Sequence, residues 1–174
     1  WRFGSWDIVA GGLFSDIWDA NIHLIPAFEI PATWYVDRSF DWGSSHPFAV
    51  PFFAESDGNP VKTVHRGEIT YPKGTLFIIG EYYGWNGEPN HGLHLASSEI
   101  ARRVLDRQKS AAWGPRVRKG PADPSIFTVT DGRSIADEMA GAGVAWDEAP
   151  RVLRIQGWQQ CRDRFEASLQ WPME

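Results

Sequence analysis

Two aspartates each follow a strand-like segment and precede a chain-breaking turn, a layout that suits metal-dependent chemistry. Asp41 lies in Phe40-Asp41-Trp42-Gly43, and Asp123 directly precedes a proline. If the two segments form neighbouring strands, their carboxylates lie close together, and each raises the pKa of the other unless a cation neutralises them. Mg²⁺ prefers oxygen ligands and keeps waters for substrate phosphate oxygens, so the pair suits phosphodiester hydrolysis. The alternative is that each aspartate only stabilises its turn.

Glu81 is the third acidic candidate, because it lies near the end of the most apolar segment of the chain, residues 75–83. An acid in such a segment must be paired, bind a metal or lie at the solvent-exposed end of its strand. Arg38 and His46 are the candidate partners if Glu81 is merely paired. If it is neither paired nor at the solvent-exposed end of its strand, Glu81 joins the metal site.

Several other chemistries are excluded by the motifs that the sequence lacks. No G-x-x-x-x-G-K-[ST] loop is present, so ATP binding by that route is excluded. No G-x-S-x-G motif is present either, which excludes a serine hydrolase of the class that carries it. Cys161 is the single cysteine, which excludes an internal disulfide and a thiolate metal site and fits a reducing cytoplasm. No apolar run reaches the ~18 residues of a membrane span.

Charge is distributed unevenly along the 174 residues, although the net charge is only −5. Residues 1–99 contain 5 basic and 12 acidic side chains, whereas residues 100–174 contain 12 basic and 10 acidic ones. A basic segment in the second part can contact phosphate, although solvation of a helix surface explains many such segments. The candidate DNA-binding residues are Arg102, Arg103, Arg107, Lys109, Arg116, Arg118 and Lys119.

The pattern of elements predicts a mixed α/β-sheet flanked by helices. Residues 34–40, 47–54, 61–65 and 75–83 resemble strands separated by tight turns, which is typical of antiparallel pairing. Helices are expected from a cap at Ser97 or Ser98, from the capping box that begins at Ser134, and near the end of the chain. Short strands between them, one running from Arg116 to the turn at Asp123 and one at residues 143–146, are expected to be parallel. The first three strands are therefore predicted to be antiparallel and the later ones parallel.

Four passages, in this order, resemble the C-terminal nuclease domain of the large subunit of tailed-phage terminases, the DNA-packaging motor. The passages are Trp6-Asp7-Ile8-Val9-Ala10-Gly11-Gly12 with Trp18-Asp19, Phe40-Asp41-Trp42-Gly43 with His46-Pro47-Phe48-Ala49, Ile79-Gly80-Glu81-Tyr82-Tyr83, and Gly120-Pro121-Ala122-Asp123-Pro124-Ser125. Each motif is common by itself, and the specificity lies in their combination and order.

The resemblance implies an RNase H-like fold and a two-metal endonuclease that cuts concatemeric double-stranded DNA of a phage or prophage. Asp41, Asp123 and Glu81 would be the catalytic and metal-binding residues, with two Mg²⁺ or Mn²⁺ ions. Residues 1–33 would be a lead-in from an ATPase domain not on this chain, and residues 34–174 the nuclease domain. The family's third acid lies in a late Asp-His-x-x-Asp-Ala-like helix that this sequence lacks, so we expect the domain to lack its C-terminal helix and to cut weakly.

The same resemblance implies partners and a location: the small terminase subunit, the portal protein and the cytoplasm of the bacterial host. Two other classes stay open on the residues alone. The ten tryptophans allow a binding or docking module, with Trp42, Trp85 and Trp113 as stacking surfaces and no clustering of Asp41 with Asp123. A resolvase- or transposase-type RNase H-like nuclease would differ only in its substrate.

Overall fold

The computed structural model describes residues 12–64, 66–130, 132–151 and 153–170. The chain divides into two units, one formed by residues 28–150 and the other by the described residues on either side of that range. The lead-in motif predicted at residues 6–12 lies outside the described residues except for Gly12.

Strands dominate the first part of the larger unit and helices the second. The strands are β1 (Tyr35–Arg38), β2 (Ala49–Glu55), β3 (Pro60–Thr63), β4 (Gly67–Thr70), β5 (Leu76–Tyr83), β6 (Pro121–Ala122) and β7 (Asp147–Glu148). The helices of the chain are α1 (Ala20–His23), α2 (Ser97–Lys109), α3 (Ile135–Gly141) and α4 (Arg154–Leu169), with 3₁₀ turns at Gly114–Arg116 and Pro124–Phe127. Helices α1 and α4 belong to the smaller unit.

Five of these strands lie side by side in the order β5-β2-β1-β6-β7. Strand β2 is antiparallel to both β1 and β5, and β6 is parallel to β7. A parallel bridge between Phe40 and Ala122 joins the continuation of β1 to β6. This confirms the predicted mixed sheet, with antiparallel pairing among β1, β2 and β5 and parallel pairing of β6 with β7. The strand predicted at residues 61–65 is not part of it. Strands β3 and β4 form a separate hairpin.

One face of this sheet is the core of the unit. Val50 and Phe52 of β2 are fully buried, and they pack in one cluster with Ile100 and Val104, one turn apart on α2. The two-residue period of the strand and the helical period of α2 therefore bring their apolar sides together. We call the opposite side of β1, β2 and β5 the outer face. Its residue Ile78 is 71% exposed.

Several details differ from the sequence-based expectations. Helix α2 begins at Ser97, but its cap is Ala96, and the buried Ser97 hydroxyl instead donates a hydrogen bond to Glu138. The apolar segment expected at the sheet centre is β5, which among the described strands pairs with β2 alone. Its apolar side chains reflect partial cover of an edge strand rather than burial on both sides.

The two parallel strands are also shorter than expected and lie further along the chain. Arg116 ends a 3₁₀ turn, and the predicted strand reduces to Pro121–Ala122. The return strand predicted at residues 143–146 is Asp147–Glu148. The capping box at the start of α3 is confirmed, with Ser134 and Asp137 exchanging side-chain and backbone hydrogen bonds.

The smaller unit is held together by aromatic contacts on α4. The rings of Phe14, Trp18 and His23 surround Phe165, with centroids at 5.3, 5.5 and 5.0 Å. Arg162 forms an ion pair with Asp16. The helix predicted near the end of the chain is confirmed as α4. In the described ranges, no helix is both long and apolar enough to cross a membrane.

Candidate active site

The backbone hydrogen bonds at the end of β1 place Asp41 and Asp123 on neighbouring strands. Asp41 exchanges both backbone hydrogen bonds with Ala49 of β2, at 2.9 and 3.1 Å. On the other side, the Phe40 amide donates to the Pro121 carbonyl at 3.0 Å, and the Asp123 amide donates to the Phe40 carbonyl at 2.9 Å. Because the strands run parallel here, both aspartates leave the sheet at the same end.

Both aspartates also point to the same side of the sheet. Phe40 and Ala122 are paired and buried in the core, at 3% and 1% exposure. Successive side chains in a strand point to opposite faces, so Asp41 and Asp123, one residue further along, project towards the outer face. Neighbouring strands lie about 4.8 Å apart, which puts the pair within reach of one cation.

Two glycines permit this arrangement by close backbone contact. A Cβ atom on Gly120, just before β6, would lie 1.9 Å from the Arg38 carbonyl oxygen of β1. A Cβ atom on Gly43, in the turn after Asp41, would lie 2.5 Å from the His46 carbonyl oxygen. Any side chain at Gly120 would therefore push β6, and Asp123 with it, away from β1.

The two carboxylates have different electrostatic surroundings. Burial, and then the negative charge of Asp123, raises the pKa of Asp41 above its ordinary value. Asp123 caps the following 3₁₀ turn, since one of its carboxylate oxygens accepts a hydrogen bond from the Ser125 amide at 2.7 Å. The turn-stabilising role considered for Asp123 is thus present, and it leaves the second carboxylate oxygen without a hydrogen bond among the described residues.

Glu81 lies on the same face but not beside the pair. Asp41 pairs with Ala49 of β2, and Ala49 pairs with Tyr83 of β5, so these residues form one row across the sheet. Glu81 pairs with Pro51 and is therefore two residues along the strand from that row. Two strand spacings and two residues of rise separate the Glu81 and Asp41 backbones by about 12 Å. The partners proposed for Glu81 bind elsewhere, because Arg38 faces the core and His46 contacts the Asn90 carbonyl at 3.2 Å.

The donor set formed by Asp41 and Asp123 fits one divalent cation. Together the two carboxylates supply oxygen ligands, and water or phosphate oxygens would complete the shell of Mg²⁺. Burial and then repulsion by Asp123 raise the pKa of Asp41, and a cation would relieve the repulsion. Across the described residues, no group of three or more His, Cys, Asp or Glu side chains is arranged to hold a metal ion. A second ion would therefore need a ligand beyond this pair.

The basic residues predicted to bind DNA occupy several different settings. Arg102 and Arg103 both form ion pairs with Glu99 on the exposed side of α2, at 2.7 and 2.9 Å. Arg116 is partly buried, and its guanidinium donates to the Pro31 and Ile30 carbonyls, so it holds the chain before β1 in place.

The remaining basic residues are exposed. Lys109 lies 3.7 Å from Asp106, and Arg107 is on the same helix. Lys119 contacts Asp147 at 2.6 Å. The guanidinium of Arg118 covers the ring of Tyr35, at 4.9 Å from its centroid. Arg118 thus lies beside the outer face, on the side where β1 begins.

Two of the three tryptophans proposed as stacking surfaces are partly buried and pack against the core. Trp42 packs on Phe40 at 5.9 Å and Trp113 on Phe52 at 5.1 Å, whereas Trp85 is 47% exposed. The sequence did not reveal that Arg38 is buried with its charge. An arginine at an inward-facing position of a strand is the only signal that could have indicated it.

Comparison with solved structures relates this fold to phage terminases. A large terminase from a thermophilic bacteriophage aligns with 91% of this chain over 33% of its own length, with 13% identity and a TM-score of 0.60. A second crystal form of that terminase aligns with 91% of this chain and 32% of its own, with 12% identity and a TM-score of 0.61. The P22 large terminase nuclease domain aligns with 84% of this chain and 69% of its own, with 16% identity and a TM-score of 0.50.

These matches establish a shared fold. The chain spans about a third of the length of the thermophilic phage's terminase chains. No family model and no curated protein matches the sequence. The resemblance that the ordered motifs indicated is therefore confirmed at the level of the fold.

Proposed function

We propose that this chain is the metal-dependent endonuclease domain of a phage or prophage DNA-packaging terminase, which hydrolyses phosphodiester bonds of concatemeric double-stranded DNA. The observation that carries the proposal is the adjacency of Asp41 and Asp123 on one face of the sheet, at the ends of parallel neighbouring strands. The fold that this chain shares with terminase chains supports the same proposal. A non-catalytic tryptophan-rich module would not require two repelling carboxylates at this point.

Asp41 and Asp123 would hold Mg²⁺ or Mn²⁺, which stabilises charge on phosphate oxygens and activates a water molecule when bound. The rest of the outer face makes a cation necessary for DNA binding. Asp37 and Glu55 lie on the same face, and burial followed by the charge of Glu55 raises the pKa of Asp37. An acidic face of this kind repels a phosphate backbone unless cations neutralise it. Glu81 is the proposed additional ligand for a second ion.

The exposed basic residues are proposed to contact the DNA backbone without sequence preference. Arg118 is the best placed of them, because it stacks on Tyr35 beside the outer face. Tyr35 and Asp41 are six residues apart on β1 and its continuation, about 20 Å, which matches roughly six base pairs of duplex. Further proposed partners are the small terminase subunit and the portal protein, in the cytoplasm of a bacterial host.

The test is cleavage of supercoiled plasmid with Mn²⁺ or Mg²⁺, comparing the wild type with Asp41→Asn and Asp123→Asn. We expect each substitution to lower the rate about 100-fold or more, because even residues that only orient metal ligands change activity 10–100-fold. Glu81→Gln in the same assay tests the role of Glu81. EDTA should abolish cleavage by every variant.

Asp37→Asn is the matched control, because it removes the same charge from the same face of the same strand, four residues from Asp41. It should cut at close to the wild-type rate. Undiminished cleavage by Asp41→Asn would refute the assignment of the site. If the wild type itself cuts too slowly to measure, the Mn²⁺-induced rise in melting temperature replaces the rate, and it should disappear in Asp41→Asn but not in Asp37→Asn.

A further inference from the structure

A cavity of about 550 Å³ lies on the core side of β1, away from the aspartate pair. The end of α2, the turn at Gly114–Arg116 and the loop before β7 form its walls. A volume of this size lies within the range of small-molecule sites. The residues that carry the argument are Arg38, Gln108, Lys109, Val117, Lys119 and Ala145.

Arg38 lines this cavity although it is only 5% exposed. Its guanidinium donates to the Gln108 side-chain oxygen at 2.8 Å and to the Ala145 carbonyl at 3.0 Å, and it covers the Trp146 ring at 4.6 Å. An arginine has five N–H donors, so three of the donors of Arg38 have no partner among the described residues. One of these is the buried Nε.

No carboxylate compensates this buried charge within the described part of the chain. Both hydrogen-bond partners of Arg38 are neutral, and none of the residues lining the cavity is acidic. Burial lowers the pKa of Arg38 to about 10, the direction expected for a cation with no anion nearby. Charged side chains are almost never fully buried without a partner, so the missing anion needs an explanation.

Two further cations lie at the same cavity, while other parts of its wall are apolar. Lys109 and Lys119 are both exposed, and their carboxylate partners Asp106 and Asp147 are exposed as well. Such exposed pairs are weak and exchange readily with another anion. Val117 contributes apolar surface. Three cations around a partly apolar cavity favour an anion that carries an organic group.

We propose that this cavity binds the phosphate group of a ligand about the size of a mononucleotide, with Arg38 at its floor and Lys109 and Lys119 at its rim. The phosphate would accept hydrogen bonds from the remaining N–H donors of the terminal nitrogens Nη1 and Nη2, in the forked geometry that suits oxyanions. Its source is a free nucleotide or the end or backbone of a nucleic acid. The proposal does not rest on the nuclease function.

The site is separate from the aspartate pair. Arg38 and Asp41 lie three residues apart on the same strand and its continuation, about 10 Å, and project to opposite faces of the sheet. EDTA removes any cation from the aspartate pair, and the signals of Arg38 and Trp146 report on the cavity itself. A failure there would leave the proposed nuclease site untouched, and the reverse also holds.

The test is an NMR titration of the ¹⁵N-labelled chain in EDTA with three probes: adenosine 5′-monophosphate, adenosine and a 12-base-pair DNA duplex. We expect the monophosphate to shift the Arg38 Nε–H and Trp146 indole signals in a saturable manner, and adenosine to leave them unchanged. Arg38→Gln should weaken this binding about tenfold to a hundredfold, as expected for lost hydrogen bonds to a charged group. A response to the duplex alone would identify nucleic acid as the source of the phosphate.

A second pair of variants keeps the proposal testable if Arg38→Gln does not fold. The double variant Lys109→Gln/Lys119→Gln should weaken binding of the probe that responds by about two- to fivefold. The matched control Lys62→Gln/Lys73→Gln removes the same charge from exposed positions outside the cavity and should bind normally. Saturable responses of equal size to adenosine and its monophosphate, no response to any probe, or equal binding by the two double variants would overturn the proposal.

Discussion

Gly120→Ala should separate β6 from β1 and so disrupt the aspartate pair without touching either carboxylate. The added Cβ would lie 1.9 Å from the Arg38 carbonyl oxygen, at least 1.1 Å short of the 3.0 Å below which such contacts essentially do not occur. The obstructing atom is backbone in a sheet strand, so it cannot rotate away as a flexible side chain would. The strand must move instead.

The size of the effect follows from the hydrogen bonds that this movement stretches. The bonds that join Phe40 to Pro121 and to Asp123 are 3.0 and 2.9 Å long. A shift of this size would lengthen them to about 4 Å, beyond useful hydrogen-bond range. Losing two bonds, each worth about 0.5–1.5 kcal/mol, together with overpacking of about 1–3 kcal/mol, gives a destabilisation of about 2–6 kcal/mol.

The assay is urea unfolding followed by tryptophan fluorescence, together with Mn²⁺-dependent plasmid cleavage. Gly141→Ala is the matched control, because Gly141 ends α3 and an added Cβ would meet no atom within 4 Å. The control should change the free energy of unfolding by less than about 0.5 kcal/mol. If Gly120→Ala were as stable as Gly141→Ala and cut as fast, the argument that this close contact positions Asp123 would be wrong.

Asp41→Asn should raise the free energy of unfolding at pH 7 in EDTA, because burial and then the charge of Asp123 raise the pKa of Asp41. In the wild type, the stability that this group contributes is present below pH 3.8 and is lost as the pH rises through the raised pKa. Equal stability of the two proteins at pH 7 would contradict this. Asp57→Asn should lower the free energy of unfolding at pH 7, since hydrogen bonding, most strongly with the Thr33 side chain, lowers the pKa of Asp57 to about 2. When the free energy of unfolding is measured at decreasing pH, the wild type should lose this advantage between pH 3.8 and 2. A constant difference between the two proteins over that range would refute the prediction. Ser134→Ala should lower the free energy of urea unfolding by about 1 kcal/mol, because it removes the capping box of α3. Ser134→Thr keeps a hydroxyl and should retain most of the stability. If the alanine variant lost no stability, the cap would be unimportant.

Features that depend on neighbours in the sequence were predictable. The stripe of α2 with Ile100 and Val104 follows from helical spacing, and the capping box of α3 follows from two residues three positions apart. The order of β and α segments was enough to indicate a mixed sheet. The cap of α2 was the exception. The prediction of Ser97 or Ser98 was wrong because the Ser97 hydroxyl donates to Glu138, a partner 41 residues away.

The strand that leads to Asp123 was harder to predict, because β6 is only two residues long. Strands β6 and β7 have no periodicity of their own and exist because adjacent backbones supply their hydrogen bonds. The position of β5 at an edge likewise depends on which strand pairs with it. Glu81 was predicted to be a metal ligand from its apolar surroundings. Because β2 lies between β5 and β1, Glu81 is on the outer face two strands from Asp41.

By itself, the sequence determined which residue types are available and which local structures they favour: an acid in a turn after each of two extended segments. Only the tertiary structure decided that these acids meet, since Asp41 and Asp123 are 82 residues apart in the chain and the contact depends on Gly120 admitting one backbone against another. It also decided that Arg38 is buried without an anion among the described residues. Electrostatic interaction depends on distance and solvent exposure in the folded chain, and neither quantity is present in the order of the residues.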